Sequence, residues 1–387
     1  MSAQKSILFL VTEDWYFCLH RLPIARAARD AGFRVLVATQ VHEHREVIEK
    51  EGFQLIPMRW TRSSLNPLHA LSEVRQISAI YRKFQPDIVH HVALKPSLYG
   101  TVAGIITGIS PVVNNLAGLG QAFSSEGMMA AVIRAGLRGA FRVLFSRAGT
   151  CTIVENSDDR HFLTSVVGID GRAVALVRGI GVDVSRFMPV PEILNSIPTV
   201  TMVSRMLWPK GVGELVDAAR ILQKRGKLVN IQLVGVPDPS SRVSVPERQL
   251  LEWQEEGIVE WLGYREDVAD IWRHSNIAIL PSYYREGIPR SLLEAAACGR
   301  AIVTTDMPGC REIVLHGRNG LLVSPRSPAA IADAIDLLAG DPELRRRMGQ
   351  VGREMVEREF AEEHVVAQTL DVYRALLETG GKAARCR

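Results

Sequence analysis

The chain has 387 residues, of which 47% are hydrophobic and 23% charged, with a formal net charge of +4. This length predicts two domains, and the composition is that of a folded globular protein, which excludes a disordered chain. The five cysteines are widely spaced and form no C-x-x-C motif, which favours a reduced, cytoplasmic setting. We expect no signal peptide, because a strand begins within a few residues of the N-terminus. We also expect no membrane span, because no apolar run reaches the ~18 residues that a spanning helix needs.

Short apolar runs alternate with helical patterns along the first half of the chain. Strands are predicted at 7–11, 34–39, 87–92, 111–114 and 151–154. Helices are predicted between them at 22–31, 42–51, 67–84 and 96–107, and glycines end three of these helices. This alternation predicts a doubly wound parallel sheet.

The second half repeats the scheme after a glycine- and proline-rich linker at 178–198. Strands are predicted at 199–203, 230–234, 258–262, 277–280, 301–305 and 320–323, and helices at 212–225, 246–256, 290–297 and 328–339. The sequence from 342 to 378 is predicted to be helical throughout. We therefore predict an α/β protein with two Rossmann-like domains facing a cleft, divided as 1–185, 186–360 and a C-terminal helix in 361–387 that packs back on the first domain. Ligands of such sheets bind at the carboxyl ends of the strands.

The chain lacks the sequence motifs of several common enzyme classes. The first strand is followed by no G-x-G-x-x-G, and no P-loop occurs, which argues against a nicotinamide enzyme and excludes a P-loop enzyme. The chain has no D-x-D sequence and no His/Cys spacing typical of zinc. We therefore predict chemistry without a metal or other cofactor.

Two glutamates flank a proline in the segment from Glu286 to Glu294, between an apolar strand and a helix. Proline favours the first helical position, so the helix would open at Pro289 and its first amides would be unpaired donors for an anionic diphosphate. Glu286 and Glu294 could then accept hydrogen bonds from hydroxyl-rich groups on either side, although solvated surface glutamates are the ordinary alternative. The candidate residues for donor binding here are Glu286, Gly287, Ile288, Pro289, Arg290, Ser291, Leu292 and Glu294.

A second candidate element follows the strand at 199–203. Arg205 and Lys210 lie between this strand and the helix after Gly211. They would project from the strand end, where a guanidinium and an ammonium stabilise the charge of a departing diphosphate. A solvated basic loop is the alternative, and the neighbouring glutamates favour the site.

These motifs resemble the retaining glycosyltransferases of family 4, which have the two-domain GT-B fold. The likeness rests on 204–211, Gly263-Tyr-Arg265-Glu-Asp-Val268, 280–289, Met307-Pro-Gly-Cys-Arg-Glu312 and 317–323. It implies that Arg205 and Lys210 bind the donor diphosphate, that Glu294 binds the ribose, and that Glu286 binds the donor sugar. It also places Arg265 near the nucleobase and makes Glu286, Arg205 and Lys210 the catalytic set.

The N-terminal half resembles a narrower group that extends polyprenyl-diphosphate-linked saccharides. The matching pieces are 12–17, 20–23, 95–100 and 118–120. Many relatives have His-Gly where this chain has Ala117-Gly118, so either no imidazole is needed or another histidine such as His20 or His91 serves. The candidate acceptor-binding residues are Asp14, His20, His91, Lys95 and Gly118, and ordinary structural or solvated roles remain the alternatives.

The segment 128–147 has four arginines and no acidic residue, and three of the arginines repeat every four residues. Arg134, Arg138 and Arg142 would form one stripe beside an apolar face. This pattern is typical of a helix that lies on the inner leaflet of a membrane, and equally of a core-packed helix with a basic outer face. We predict a cytoplasmic protein that binds peripherally to the inner face of the cytoplasmic membrane.

The reaction predicted from the resemblance is retaining transfer of an N-acetylhexosamine or hexose from a UDP-sugar to a lipid-linked saccharide in surface polysaccharide biosynthesis. A nucleotide-sugar epimerase and a non-catalytic sugar-nucleotide-binding protein remain open alternatives. Nucleic acid is a poor candidate partner, because the basic residues are not interleaved with aromatic ones.

Overall fold

A computed structural model describes residues 4–60, 67–118, 128–193 and 197–379. The chain divides into two compact units. The first unit comprises Met1–Ile180 and Glu363–Arg387, and the second comprises Gly181–Glu362. The chain therefore enters the second unit within the glycine- and proline-rich segment and returns to the first unit for its last helix.

The first unit is built on a seven-stranded parallel sheet with the order β3-β2-β1-β4-β5-β6-β7. Its strands are β1 Ser6–Glu13, β2 Arg34–Gln40, β3 Gln54–Pro57, β4 Ile88–Val92, β5 Val112–Leu116, β6 Thr150–Val154 and β7 Val174–Leu176. Successive residues of β1 alternate between two apolar layers, with Phe9 in one and Leu10 in the other. Both faces are covered, which is why the strands read as continuous apolar runs.

The helices of the first unit cover the two faces of this sheet. They are Asp14–His20, Leu22–Asp30, Arg45–Lys50, Pro67–Phe84, Leu94–Thr107, Met128–Phe145, Ser157–His161 and Glu362–Glu378, with a π-helical turn at Phe162–Val167. The helix Asp14–His20, which directly follows β1, was not predicted. The short strands β3 and β7 were not predicted.

The second unit has a six-stranded parallel sheet with the order β10-β9-β8-β11-β12-β13. Its strands are β8 Thr199–Val203, β9 Asn230–Val234, β10 Glu260–Gly263, β11 Ile277–Leu280, β12 Ala301–Thr305 and β13 Gly320–Val323. Its helices are Val212–Lys224, Glu247–Glu255, Val268–His274, Arg290–Ala297, Cys310–Ile313, Pro328–Gly340 and Pro342–Glu359. The predicted class of two Rossmann-like parallel-sheet domains is confirmed.

The helical C-terminal sequence is divided by a break at Phe360–Ala361. The helix before the break belongs to the second unit, and the helix after it packs into the core of the first. There the hydroxyl of Tyr373 is hydrogen-bonded to Nδ1 of His90 in β4. The last helix therefore completes the first unit.

No helix in the described part of the chain is both long enough and apolar enough to span a bilayer. Cys18, Cys298 and Cys310 carry free thiols, whereas Cys151 is disulfide-bonded. The expectation of reduced cysteines therefore holds for the first three and is wrong for Cys151.

Candidate functional site

The loops that follow β8 and β11 lie at the topological switch point of the second sheet. These strands are hydrogen-bonded neighbours, and the chain leaves β8 toward β9 on one side but leaves β11 toward β12 on the other. The two loops therefore diverge at the carboxyl edge and leave a crevice, which is where ligands of open α/β sheets bind. The first loop carries Arg205 and Lys210, and the second carries Glu286.

Lys210 and Glu286 form an ion pair across this switch point. The two residues are 76 positions apart in sequence, and their side chains are only 17% and 9% exposed. The fold thus brings together two of the residues that the sequence singled out. An ammonium and a carboxylate in this enclosure supply a donor and an acceptor that water screens weakly.

Direct contacts between the two loops fix the position of Lys210. The carbonyl of Pro209 accepts hydrogen bonds from the amide of Tyr283 at 3.0 Å and from the hydroxyl of Ser282 at 3.2 Å. Gly211 has a φ of 84°, and a Cβ there would overlap the carbonyl of Pro281. A side chain at position 211 would therefore push the two loops apart.

Arg205 pairs with an acid that the sequence did not single out. Its Nη1 donates to Oδ2 of Asp238 at 2.8 Å, and the Arg205 side chain is half-exposed. Asp238 follows β9, which is the neighbour of β8 in the sheet. Arg205 makes no hydrogen bond with Glu286 or Glu294 among the described residues, although it lies at the same edge of the sheet as Lys210.

Glu294 is buried and is held by Arg290 one turn earlier in its helix. Nε of Arg290 donates to the Glu294 carboxylate at 2.7 Å. Burial raises the pKa of Glu294 above its ordinary value, while the charge of Arg290, and more weakly that of Arg186, acts in the opposite direction. Arg186 also donates to the carbonyl of Glu266, within the segment 263–268, at 3.5 Å.

The start of this helix differs in one respect from the sequence prediction. Pro289 is the N-cap residue, and Arg290 is the first helical residue. The amide of Leu292 donates to the carbonyl of Pro289 at 3.1 Å, so the prediction that this amide is an unpaired donor is wrong. Ser291 lies in the first turn, at the carboxyl edge of the sheet.

The remaining candidates for donor binding have mixed surroundings. The side chains of Ile288 and Leu292 are buried in the core of the second unit. Gly287 lies against Gly309, where φ is 84° and a Cβ would overlap the carbonyl of Gly287. Arg265 is partly exposed and pairs with Asp267 at 2.7 Å through its Nε. Among the described residues it forms no hydrogen bond or ion pair with Glu286 or Glu294.

A second group at this edge was missed by the sequence reasoning. The guanidinium of Arg326, in the loop after β13, lies 4.4 Å from the centre of the Tyr283 ring. Burial raises the pKa of Tyr283, and the nearby charge of Glu214 acts in the same direction. The only sequence signal for Asp238 and for this group is their place directly after predicted strands, where side chains of the crevice originate.

In the first unit, His91 belongs to the buried core. Its Nε2 is hydrogen-bonded to the hydroxyl of Tyr81 at 2.7 Å, and its Nδ1 to the side chain of Asn114 at 2.7 Å. Burial lowers the pKa of His91 to about 4. Both ring nitrogens are occupied and the side chain is enclosed, so we assign His91 to the structure of the core and not to an acceptor site.

Asp14 and His20 lie at the two ends of the first helix. The carboxylate of Asp14 is fully buried and accepts the amides of His42 at 2.6 Å and His44 at 3.1 Å. Its role in this structure is therefore to anchor the loop after β2. His20 is partly exposed, and its ring lies 4.3 Å from that of Tyr16.

Lys95 and Gly118 follow β4 and β5 at the carboxyl edge of the first sheet. Lys95 pairs with Glu73 at 2.8 Å and lies over the rings of Trp60 and Tyr99, at 5.5 and 5.4 Å. It is therefore held by a carboxylate and two aromatic rings, unlike the solvated lysine of the alternative interpretation. Gly118 has a φ of 84°, and the rest of its motif, to residue 120, lies outside the described residues.

Two family models match the chain. The model described as "Glycosyl transferases group 1" matches residues 197–341, and "Glycosyl transferase 4-like" matches residues 6–147. The matched segments lie one in each unit and together cover most of the chain. The chain belongs to this family of glycosyltransferases, and it is therefore an enzyme of the class that the resemblance predicted.

Curated relatives match over most of their length. The chain is 28% identical to the N,N'-diacetylbacillosaminyl-diphospho-undecaprenol alpha-1,3-N-acetylgalactosaminyltransferase of Campylobacter jejuni, covering 85% of this chain and 88% of that protein. It is 24% identical to the capsular polysaccharide biosynthesis glycosyltransferase CapM of Staphylococcus aureus, covering 86% and 88%.

Solved structures share the fold. Sucrose-phosphate synthase from Thermosynechococcus elongatus superposes with a TM-score of 0.80 at 21% identity, covering 97% of this chain and 100% of that one. Anabaena HepE in complex with UDP and glucose superposes with a TM-score of 0.77 at 20% identity, covering 96% and 100%. At these identities the likeness establishes the two-domain glycosyltransferase fold.

Proposed function

We propose that the protein transfers a hexose or N-acetylhexosamine from a UDP-sugar to a hydroxyl of a polyprenyl-diphosphate-linked saccharide. The observation that carries this proposal is the Lys210–Glu286 pair at the switch point between β8 and β11. The C. jejuni relative is named for a diphospho-undecaprenol acceptor and an N-acetylgalactosaminyl group, and HepE was solved with UDP and glucose, which supports both substrate classes.

The charges at this edge suit a nucleoside diphosphate as leaving group. Lys210 and Arg205 carry the positive charge, and each is paired with an acid in this structure. A diphosphate would share these cations with Glu286 and Asp238 and gain charge-assisted hydrogen bonds. Such preorganised donors act most strongly on the charge that develops as the sugar–phosphate bond breaks.

Glu286 and Glu294 provide acceptors for sugar hydroxyls on the two sides of the diphosphate. Glu286 lies beside Lys210, where the donor hexose would sit, and its buried carboxylate is suited to hold a hydroxyl. Glu294, whose carboxylate is buried in the helix that follows β11, would accept hydrogen bonds from the ribose. These two roles follow the order of groups in a UDP-sugar.

Retention at the anomeric carbon is part of the proposal. The bond from the anomeric carbon to the leaving phosphate oxygen breaks, and a bond from the acceptor oxygen forms on the same face. The acceptor proton passes to the leaving phosphate oxygen, so no protein base is required. Lys210 and Arg205 would stabilise the diphosphate charge. We propose that no metal ion takes part.

The test is a panel of UDP-sugars with wild type and the Glu286→Ala variant. The true donor should raise the unfolding temperature of wild type by mass action. It should also yield a glycosylated product only when a polyprenyl-diphosphate-linked saccharide is added. Conversion of the UDP-sugar without acceptor would indicate an epimerase. Binding of the UDP-sugar without either reaction would indicate a non-catalytic protein, if cells that carry the Glu286→Ala variant also make the same amount of glycan as wild-type cells.

We also propose that the helix Met128–Phe145 contacts the membrane that carries the acceptor. Phe141 and Phe145 are fully buried, so the C-terminal end of this helix packs on the core. Val132 and Ile133, nearer its start, are 64% and 41% exposed. Exposed apolar side chains next to arginines suit an anionic leaflet surface.

Liposome flotation tests the membrane contact. Changing Arg134, Arg138 and Arg142 to Glu should abolish flotation with anionic vesicles, because each basic residue near such a surface contributes about 1 kcal/mol. The control makes the same change in net charge at exposed arginines of other helices, namely Arg248, Arg346 and Arg374. Equal flotation of the two triple variants would refute the contact. A cytoplasmic location at the inner face of the membrane is proposed on the same basis.

A further inference from the structure

The segment 236–245, which follows β9, is joined to the chain that follows β8. The amide of Met206 donates to the carbonyl of Val236 at 3.0 Å, and the amide of Val245 donates to the carbonyl of Met206 at 2.9 Å. The amide of Trp208 donates to the carbonyl of Val243 at 2.9 Å. The backbone on either side of Arg205 and Lys210 is thus supported by this second loop.

Asp238 is the acid of this loop that reaches Arg205. Its Oδ1 accepts hydrogen bonds from the amide of Ser240 at 3.0 Å and from the Ser240 hydroxyl at 2.7 Å. Its Oδ2 accepts from Nη1 of Arg205 at 2.8 Å, and its own amide donates to the hydroxyl of Ser244 at 2.9 Å. The Asp238 side chain is 12% exposed, against 48% for Arg205. A nearly enclosed, fixed carboxylate therefore holds an exposed guanidinium.

Within the described part of the chain, only one edge of the Arg205 guanidinium forms a hydrogen bond. Nη1 bonds to Asp238, and Nε and Nη2 have no acceptor among the described residues. The guanidinium is planar and its donors have a fixed geometry, so fixing one nitrogen sets the direction of the others. Without that contact, a half-exposed arginine would populate many rotamers.

We propose that Asp238 is a positioning residue, which orients Arg205 so that its remaining N–H groups bind the diphosphate of the donor. This inference rests on the proposed function for the identity of the ligand. Asp238 acts through Arg205 and does not touch the donor. The opposing possibility is that Asp238 only shapes its own loop through Ser240 and Ser244.

A double-mutant cycle separates the two possibilities. Asp238→Asn keeps an oxygen for Ser240 but replaces the oxygen that accepts from Arg205 with an NH2 group, which can only donate. We expect Asp238→Asn to weaken UDP binding about fivefold to tenfold, which is the size of coupling within one hydrogen-bonded network. Arg205→Ala should weaken it at least as much, and the double variant should match Arg205→Ala alone. The measurement is titration calorimetry with UDP, with the unfolding temperature recorded for each variant.

Two controls address charge and loop structure. Asp333→Asn removes an acid from a surface pair with Arg225 at 2.6 Å and should leave UDP binding unchanged. Ser240→Ala removes one hydrogen bond of the Asp238 loop but leaves the pair with Arg205, and it should bind UDP within about twofold of wild type.

The outcomes distinguish this inference from the proposed function. Effects of Asp238→Asn and Arg205→Ala that multiply in the double variant would overturn the positioning role. A loss in Ser240→Ala equal to that in Asp238→Asn would overturn it too, because the loop would then be responsible. A wild type that binds no UDP would instead overturn the proposed function, and this inference with it.

Discussion

Replacing Lys210 by Met should reduce catalysis far more than stability. The change removes the Lys210 cation from Glu286, whose side chain is 9% exposed. Removing one partner of a buried pair costs about 3–5 kcal/mol, and since Lys210 is 17% exposed and water reaches the pair, we expect about 2 kcal/mol. A loss of about 2 kcal/mol in a domain of this size lowers the unfolding temperature by roughly 4–8 °C, so the variant remains folded at 25 °C.

The expected loss of kcat corresponds to a larger free energy than this loss of stability. One preorganised donor to a developing anion is worth about 10²–10³ in kcat. Lys227→Met is the matched control, because Lys227 pairs with Asp336 at 2.9 Å on the surface and should change neither property appreciably. Sugar transfer and thermal unfolding are measured on both variants. A Lys210→Met enzyme with kcat within about fivefold of wild type would refute the assigned role.

Three further predictions concern backbone, pH and metal. Gly309→Ala should destabilise the second unit and weaken UDP binding, because its Cβ would overlap the carbonyl of Gly287. Gly317→Ala is the control: its φ is 76° but the space around it is open, so it should lower the free energy of unfolding in urea by only about 1 kcal/mol. Burial raises the pKa of Glu294 from 4.5, so the folded state keeps this proton to higher pH than the unfolded state does. The unfolding free energy of wild type relative to Glu294→Gln should therefore fall as pH rises from 4.5 through the folded pKa, and a gap that grows with pH in urea titrations would contradict this. Sugar transfer should be unchanged by EDTA, and loss of activity restored by a divalent cation would contradict the metal-independent proposal.

The strands of both sheets were predictable because they are buried on both faces. Such strands appear in sequence as short, continuous apolar runs, and every predicted run corresponds to an observed strand. The two observed strands that were not predicted are short: β7 has three residues and β3 ends at Pro57. The helix Asp14–His20 was missed because its N-cap residue, Glu13, makes no capping hydrogen bond and nothing in the sequence marks its start.

The sequence predicts only those parts of the candidate site that directly follow a strand or begin a helix. Lys210 and Glu286 could be selected because each follows a predicted strand in a distinctive motif. Asp238 could not, since its partner Arg205 lies 33 residues away and pairing between loops leaves no local pattern. The hydrogen bonds that hold His91 in the core could not be predicted either, because its two partners come from a helix and a neighbouring strand.

The return of the chain to the first unit determines how the protein can be divided. The second unit is one continuous segment, Gly181–Glu362, and can be produced from a single uninterrupted gene fragment. The first unit is encoded in two pieces, and a fragment that stops at residue 180 lacks Val365, Tyr373 and Leu376 from its core. Nucleotide titrations on an isolated half are therefore practical for the second unit, whereas a truncated first unit would expose the apolar surface that the last helix covers.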